Sequence, residues 1–321
     1  MTISDTVDAW TMGSKHLIMV PYAHIATMET GLNVGNKDRS KQKEMYLKNC
    51  CVALVSAKVH NPEADVALVT NIEVPRSFLT ILVQAGVAVI RVPFDKFNFG
   101  DKYVWGLAFY KLCAQYHISH NTNYEAIACL DSDIYIQGSF ESVWESAKTA
   151  PVFYRLGTGT AETSSSKIYA EAAAFRGSDE PFTHYGGEFF VASSADMRSI
   201  TEKEEVIFTE MLERGFRVST GDEFISSLVA NSMPDHIQPA NDYVFRFWTG
   251  TYRSISPAYK TTLVCLHVPA EKEAGMLRIF DGYISKGQIP SKEKVWNMLH
   301  IPRRSLPDTM KAVVKKIIKR S

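Results

Sequence analysis

The chain has 321 residues, 45% hydrophobic and 22% charged, which supplies ample apolar material for a sizeable core. Its formal net charge is +0, which excludes a global electrostatic pull toward nucleic acid. No stretch approaches the roughly 18 apolar residues of a membrane-crossing helix. Residues 1–14 hold acidic side chains and no apolar run, unlike a signal peptide. The five cysteines (Cys50, Cys51, Cys113, Cys129 and Cys265) form no C-x-x-C pair, and the pattern predicts reduced, buried thiols.

In chain order, residues 15–22 (KHLIMVPY) are a short apolar run with β-branched members, suited to a buried strand. A polar, basic loop over 35–43 precedes a helix predicted at 45–59. A second strand is expected at 65–70 (DVALVT), a helix at 77–85 ended by Gly86, and a third strand at 87–92 (VAVIRV). Residues 105–116 (WGLAFYKLCAQY) read as a helix, and 125–130 (EAIACL) as a fourth strand running into Asp131. This strand–helix alternation predicts an α/β fold with a mainly parallel central sheet flanked by helices. The second half is less regular. It reads as a Gly-, Ser-, Thr- and Ala-rich loop over 155–185 with room for one short helix, a strand at 188–192, helices at 204–214 and 224–230, and a last apolar run at 262–267. No linker divides the chain, so the expected organisation is an N-terminal extension (1–14), one main domain (15–290) and a C-terminal tail (291–321).

Ligands of such sheets bind outside the carboxyl ends of the strands, and Asp131 stands at one of those ends. Side chains alternate along a strand, so Asp131 and Asp133 are expected on one face and Ser132 on the other. Two carboxylates so placed repel each other, and a hard divalent cation relieves that repulsion while leaving positions for phosphate oxygens. A plainer reading has both aspartates capping a loop through backbone amides.

Residues 128–140 (ACLDSDIYIQGSF) resemble the metal-binding strand end of GT-A glycosyltransferases, in particular the glycogenin and bacterial lipopolysaccharide galactosyltransferase group. The likeness runs loosely from about residue 15 to 267, with the acidic triplet as its specific motif. It implies a Rossmann-like GT-A fold, Mn²⁺ or Mg²⁺, and a nucleotide-sugar donor, a UDP-sugar above all. It also implies that His267 joins Asp131 and Asp133 on the metal. The family's glycine- and lysine-containing sequence after that histidine is replaced here by Val268-Pro269-Ala270-Glu271-Lys272. The glycine pair Gly186-Gly187 resembles the small-residue turn beside the donor sugar. Asp222 and Glu223 resemble the acidic helix start set against the reaction centre. Glu188, Asp222 and Glu223 are candidate catalytic carboxylates. Tyr22, at the end of the first strand, is expected to stack on the base, with Ser132 beside the donor and Lys37, Arg39, Lys41 and Lys102 as candidate phosphate contacts. His184 and Tyr185 are further candidates for donor or acceptor contact.

Between Arg303 and Ser321, seven basic residues face Asp308 alone, a net of +6. Met310, Val313, Val314, Ile317 and Ile318 recur at helical spacing, which predicts a basic amphipathic C-terminal helix suited to an anionic membrane surface. With no anchor segment, the resemblance implies a cytoplasmic enzyme, peripheral on the inner face of the membrane, that glycosylates a glycan or lipid-linked acceptor. Two alternatives remain open. One is a haloacid-dehalogenase-like phosphatase with Asp131 as nucleophile. The other is a non-catalytic sugar-binding or scaffold protein.

Overall fold

The computed structural model describes residues 13–28, 38–100, 103–156, 165–249 and 257–301. The chain runs β1 (His16–Tyr22), α1 (Arg39–His60), β2 (Asp65–Thr70), α2 (Arg76–Gln84) and β3 (Ala88–Arg91). A 3-10 turn at Gly106–Phe109 opens α3 (Tyr110–Asn121), followed by β4 (Ala126–Leu130), β5 (Ile134–Ile136), α4 (Glu141–Ala147) and β6 (Val152–Arg155). Then come α5 (Ser165–Arg176), β7 (Tyr185–Ala192), α6 (Ser194–Glu213), α7 (Asp222–Asn231), β8 (Gln238–Pro239) and β9 (Val244–Arg246). The described chain closes with α8 (Pro257–Thr262), β10 (Cys265–His267), α9 (Gly275–Gly282) and α10 (Lys292–Met298).

Seven strands form the main sheet in the order β3-β2-β1-β4-β7-β6-β8, and only β7 runs against the others. The predicted α/β class and mainly parallel, helix-flanked sheet are therefore present. Both faces of the sheet are covered, which is why its strands read as continuous apolar runs rather than alternating ones. Ile18 and Val20 of β1 pack into the cluster under α1, α2 and α9, whereas Leu17 and Met19 pack into the cluster under α3, α6 and α7. Chain order reverses beside β1: β2 and β3 lie on one side and β4 on the other. That reversal opens a crevice at the carboxyl ends of β1 and β4.

Several boundaries differ from the predicted ones for local reasons. α1 begins at Arg39 because the Asp38 carboxylate accepts from the amides of Ser40 and Lys41, so Arg39 and Lys41 lie on a helix rather than in a loop. α6 begins ten residues before the predicted start, where Ser193 Oγ accepts from the Asp196 amide. The helix allowed within the loop over 155–185 is the twelve-residue α5, and β6, not expected, precedes it. Val295, Leu299 and Ile301 are buried in the core, so the packed body continues past residue 290. All five cysteines are free and buried. Among the described residues no helix is long and apolar enough to cross a membrane. The basic tail, Lys37 and Lys102 lie outside the described residues.

One buried carboxyl makes stability depend on pH. Glu204 of α6 is 1% exposed, accepts from Ser226 Oγ through Oε1, and has no partner at Oε2. Burial pushes its carboxyl up to about 8, with the Asp222 charge adding to the rise. The folded state therefore retains a proton that the unfolded chain releases near its ordinary value. This contribution to stability is complete below that value and disappears as pH rises through about 8. Glu204→Gln keeps the Ser226 acceptor without the charge. It is expected to be stabilising by a few kcal/mol at pH 8 and nearly neutral at pH 4, as read by urea unfolding at the two pH values. Equal effects at both would show that Glu204 does not titrate on unfolding.

A candidate metal and diphosphate cleft

The acidic triplet forms a turn rather than a strand end. β4 stops at Leu130, and residues 131–133 carry the chain across to β5. Asp131 and Asp133 thus meet through the turn, not through strand alternation. Asp131 is tied to β7 by its amide, which donates to the Glu188 carbonyl at 3.1 Å.

β5, β10 and β9 form a second, three-stranded sheet that begins directly after the triplet. Its register pairs His267 with Ile134 on one side and with Arg246 on the other, and the Val268 amide donates to the Asp133 carbonyl. This small sheet brings His267 and Arg246 to the acidic turn. One ligand atom each from Asp131, Asp133 and His267 lie within 4.8 Å of one another. Two carboxylate oxygens and one imidazole nitrogen suit Mg²⁺ or Mn²⁺, with remaining positions open to phosphate and water. The sequence-predicted donor set is therefore brought together.

Basic side chains balance these carboxylates. Lys111 Nζ lies 2.5 Å from Asp131 Oδ1 and 3.0 Å from Asp222 Oδ2. Lys272 Nζ lies 3.2 Å from Asp133 Oδ2, and His267 Nε2 lies 3.2 Å from the same oxygen. His267 Nδ1 meets Glu188 Oε1 at 3.0 Å. Arg246 grips Glu188 through two bonds of 2.6 Å and reaches Glu223 Oε1 at 2.7 Å, and His184 meets the other Glu223 oxygen at 2.9 Å. Burial alone would raise the Asp133 carboxyl, but Lys272 and His267 hold it well below its usual range. Against its own burial, Glu223 is held down at about 2 by Arg246 and His184. Asp222 goes the other way, to about 6, because burial and the neighbouring Asp131 and Glu223 charges outweigh Lys111. Burial would lower His267, yet Asp133 and Glu188 raise it to about 9. A cation entering beside these carboxylates must therefore displace a proton from His267.

The cleft over this network has a volume of about 490 Å³. Tyr22, Ser132, Asp222 and Glu223 line it together with the three metal-capable residues. Tyr22 stacks against Tyr46 with ring centroids 5.8 Å apart, and both rings line the cleft. Two buried polar atoms of lining residues have no hydrogen-bond partner: Tyr22 Oη and Thr220 Oγ1. Such orphans at a cleft wall fit a polar ligand.

Other predicted residues take different positions. Glu188 is fully buried with both oxygens engaged and does not line the cleft, so it braces His267 and Arg246 instead of facing an acceptor. Gly186 and Gly187 lie within β7, not in a turn before it. There the β6 register jumps, Phe153 pairing with Phe190 and Tyr154 with Gly186, and this bulge re-aims Glu188. A Cβ on Gly187 would stand 2.6 Å from Asp222 Oδ2 and 2.9 Å from Lys111 Nζ, and one on Gly186 would collide with the Glu188 carboxylate. The glycines make room for the charge network. Gly186→Ala is expected to cost about 1–3 kcal/mol of stability by displacing Glu188, measurable by urea denaturation. A wild-type midpoint would show that the carboxylate is not confined. His184 is buried against Glu223, Tyr185 packs on Phe153, and neither they nor Arg39 and Lys41 line the cleft.

Sequence reasoning missed Lys111, Arg246 and Lys272. Lys111 had a readable signal, being the lone charge in the apolar helix 105–116. Lys272 reaches Asp133 although the sequence after His267 departs from the family pattern. No protein-family model matches the chain, and a comparison with curated proteins finds no match.

Proposed function

We propose that the protein is a metal-dependent glycosyltransferase of GT-A type that moves a sugar from a nucleoside-diphosphate donor, a UDP-sugar, to a hydroxyl of a glycan or lipid-linked acceptor. One observation carries this reading. Asp131, Asp133 and His267 converge at the β1/β4 reversal, in a cleft that also presents Lys111, Lys272 and Arg246. Three metal donors beside three cations suit a ligand that is itself highly anionic and shares the metal, as a diphosphate does.

Asp131, Asp133 and His267 would hold Mn²⁺ or Mg²⁺, which when bound neutralises charge on the departing diphosphate. Lys111 and Lys272 turn from the aspartates toward the phosphates and add fixed positive charge where negative charge builds. Tyr22 and Tyr46 offer an aromatic wall to the base. Thr220, with its unpartnered hydroxyl, and Asp222, on the same wall, take up hydroxyls of the sugar. Glu223, locked between Arg246 and His184, orients that end of the cleft. The basic pattern of residues 303–321 supports the further proposal that the tail rests on anionic lipid.

Thermal unfolding against nucleotides with and without Mn²⁺ tests the reading. A ligand at a hundred times its Kd adds about 2.7 kcal/mol to stability. The expected result is a rise in Tm with UDP or a UDP-sugar only when metal is present. Failure of every nucleotide to shift Tm under any condition would sink the proposal. Phosphate release dependent on Asp131, without sugar transfer, would favour the phosphatase alternative.

A further inference from the structure

A second cluster of metal-capable side chains lies apart from the cleft network. Cys113 and His117 are four residues apart on α3 and share one face of the helix, and Asp95 faces them from the segment after β3. Ligand atoms of Asp95, Cys113 and His117 lie within 4.8 Å of one another. His117 Nε2 is 2.7 Å and Cys113 Sγ 3.7 Å from the same oxygen, Asp95 Oδ1. The thiol is buried and also donates to the Pro93 carbonyl at 3.3 Å, while the Asp95 side chain is 54% exposed, so the cluster opens to solvent on the Asp95 side. We infer that Asp95, Cys113 and His117 form a zinc site with water as fourth ligand, and that the ion fastens the wall of the cleft.

The donor set favours zinc. A thiolate, an imidazole and a carboxylate match its borderline-soft character and tetrahedral preference, and they differ from the oxygen-rich set at Asp131 and Asp133. Charge also balances, since Zn²⁺ offsets one thiolate and one carboxylate. On binding, the Cys113 thiol gives its proton to solvent and forms the sulfur–zinc bond. The hydrogen that His117 Nε2 holds against Asp95 Oδ1 also leaves to solvent, so that the Nε2 lone pair meets the ion while Nδ1 carries the remaining ring hydrogen. Between Asp95 and Cys113 the chain carries Val104, Trp105, Leu107, Ala108, Tyr110 and Lys111, all of which line the cleft. An ion joining the two ends closes this loop and restricts the residues on it. The inference is independent of the reaction assigned to the cleft.

Titration of the full chain with Co²⁺, followed by competition with Zn²⁺, tests it. The expected result is a near-ultraviolet thiolate-to-cobalt absorption that saturates at a single equivalent and is removed by zinc. It should persist in Asp133→Asn, vanish in Cys113→Ser, and require at least roughly tenfold more cobalt in His117→Ala. His117 is partly exposed, so that variant separates lost ligation from lost folding. Zinc should likewise raise Tm in the wild type but not in His117→Ala. Absence of the thiolate band, its survival in Cys113→Ser, or an equal zinc-induced rise in both proteins would overturn the assignment.

Discussion

Under the proposed glycosyltransferase function, Asp133→Asn is expected to lower sugar transfer by about 10³-fold and to abolish a metal-dependent rise in Tm with nucleotide. Asp133 is 1% exposed, and its carboxylate is shared by His267 and Lys272. Asparagine preserves the shape but removes the charge that a divalent cation needs. Metal ions supply several kcal/mol of charge stabilisation in such transfers, and each 1.4 kcal/mol is a factor of ten in rate. The loss should appear in kcat, and excess Mn²⁺ should not restore it. A variant retaining a tenth of wild-type transfer would remove Asp133 from the metal site.

Arg246→Met is expected to be the most destabilising single change at the cleft. Its guanidinium holds Glu188, which is fully buried, and Glu223, which is 21% exposed. Removing one partner of a buried pair leaves an uncompensated charge, at a cost of about 3–5 kcal/mol. Glu188 also holds His267 Nδ1, so a shifted Glu188 should disturb the metal donors as well. Pairing Arg246→Met with Glu188→Gln should recover part of the stability, because the second change removes the stranded charge. A double variant as unstable as the sum of the singles, measured by chemical denaturation, would argue that the two residues act separately.

The scaffold was largely legible, and the site only in part. Strands β1, β2 and β4 are short, largely apolar runs bounded by polar or glycine-containing segments, and burial on both faces accounts for that. Gly86 marked the end of α2 because it adopts φ +73°, which other residues avoid. Asp131 and Asp133 were visible because two carboxylates after an apolar strand call for a counter-charge. The small sheet was hidden for a physical reason: β5, β9 and β10 have three residues each, too few to show a period. His267 emerged from family resemblance, whereas Arg246, one strand away, had no such guide. Glu188 illustrates the opposite difficulty. Its residue type suggests a base, yet the β7 bulge and the Arg246 clamp turn it inward.

The contact between His267 and Asp133 spans 134 residues of chain. During synthesis the first four strands and the acidic turn leave the ribosome well before β10 does, and long-range pairings of this kind form late. A nascent chain can therefore assemble much of the main sheet while Asp133 still lacks both His267 and Lys272. The three metal-capable side chains come together only once β10 lies between β5 and β9. Until then the acidic turn has Lys111 beside Asp131 but neither His267 nor Lys272 beside Asp133. The wiring of the small sheet thus ties the metal-capable cluster to completion of the fold.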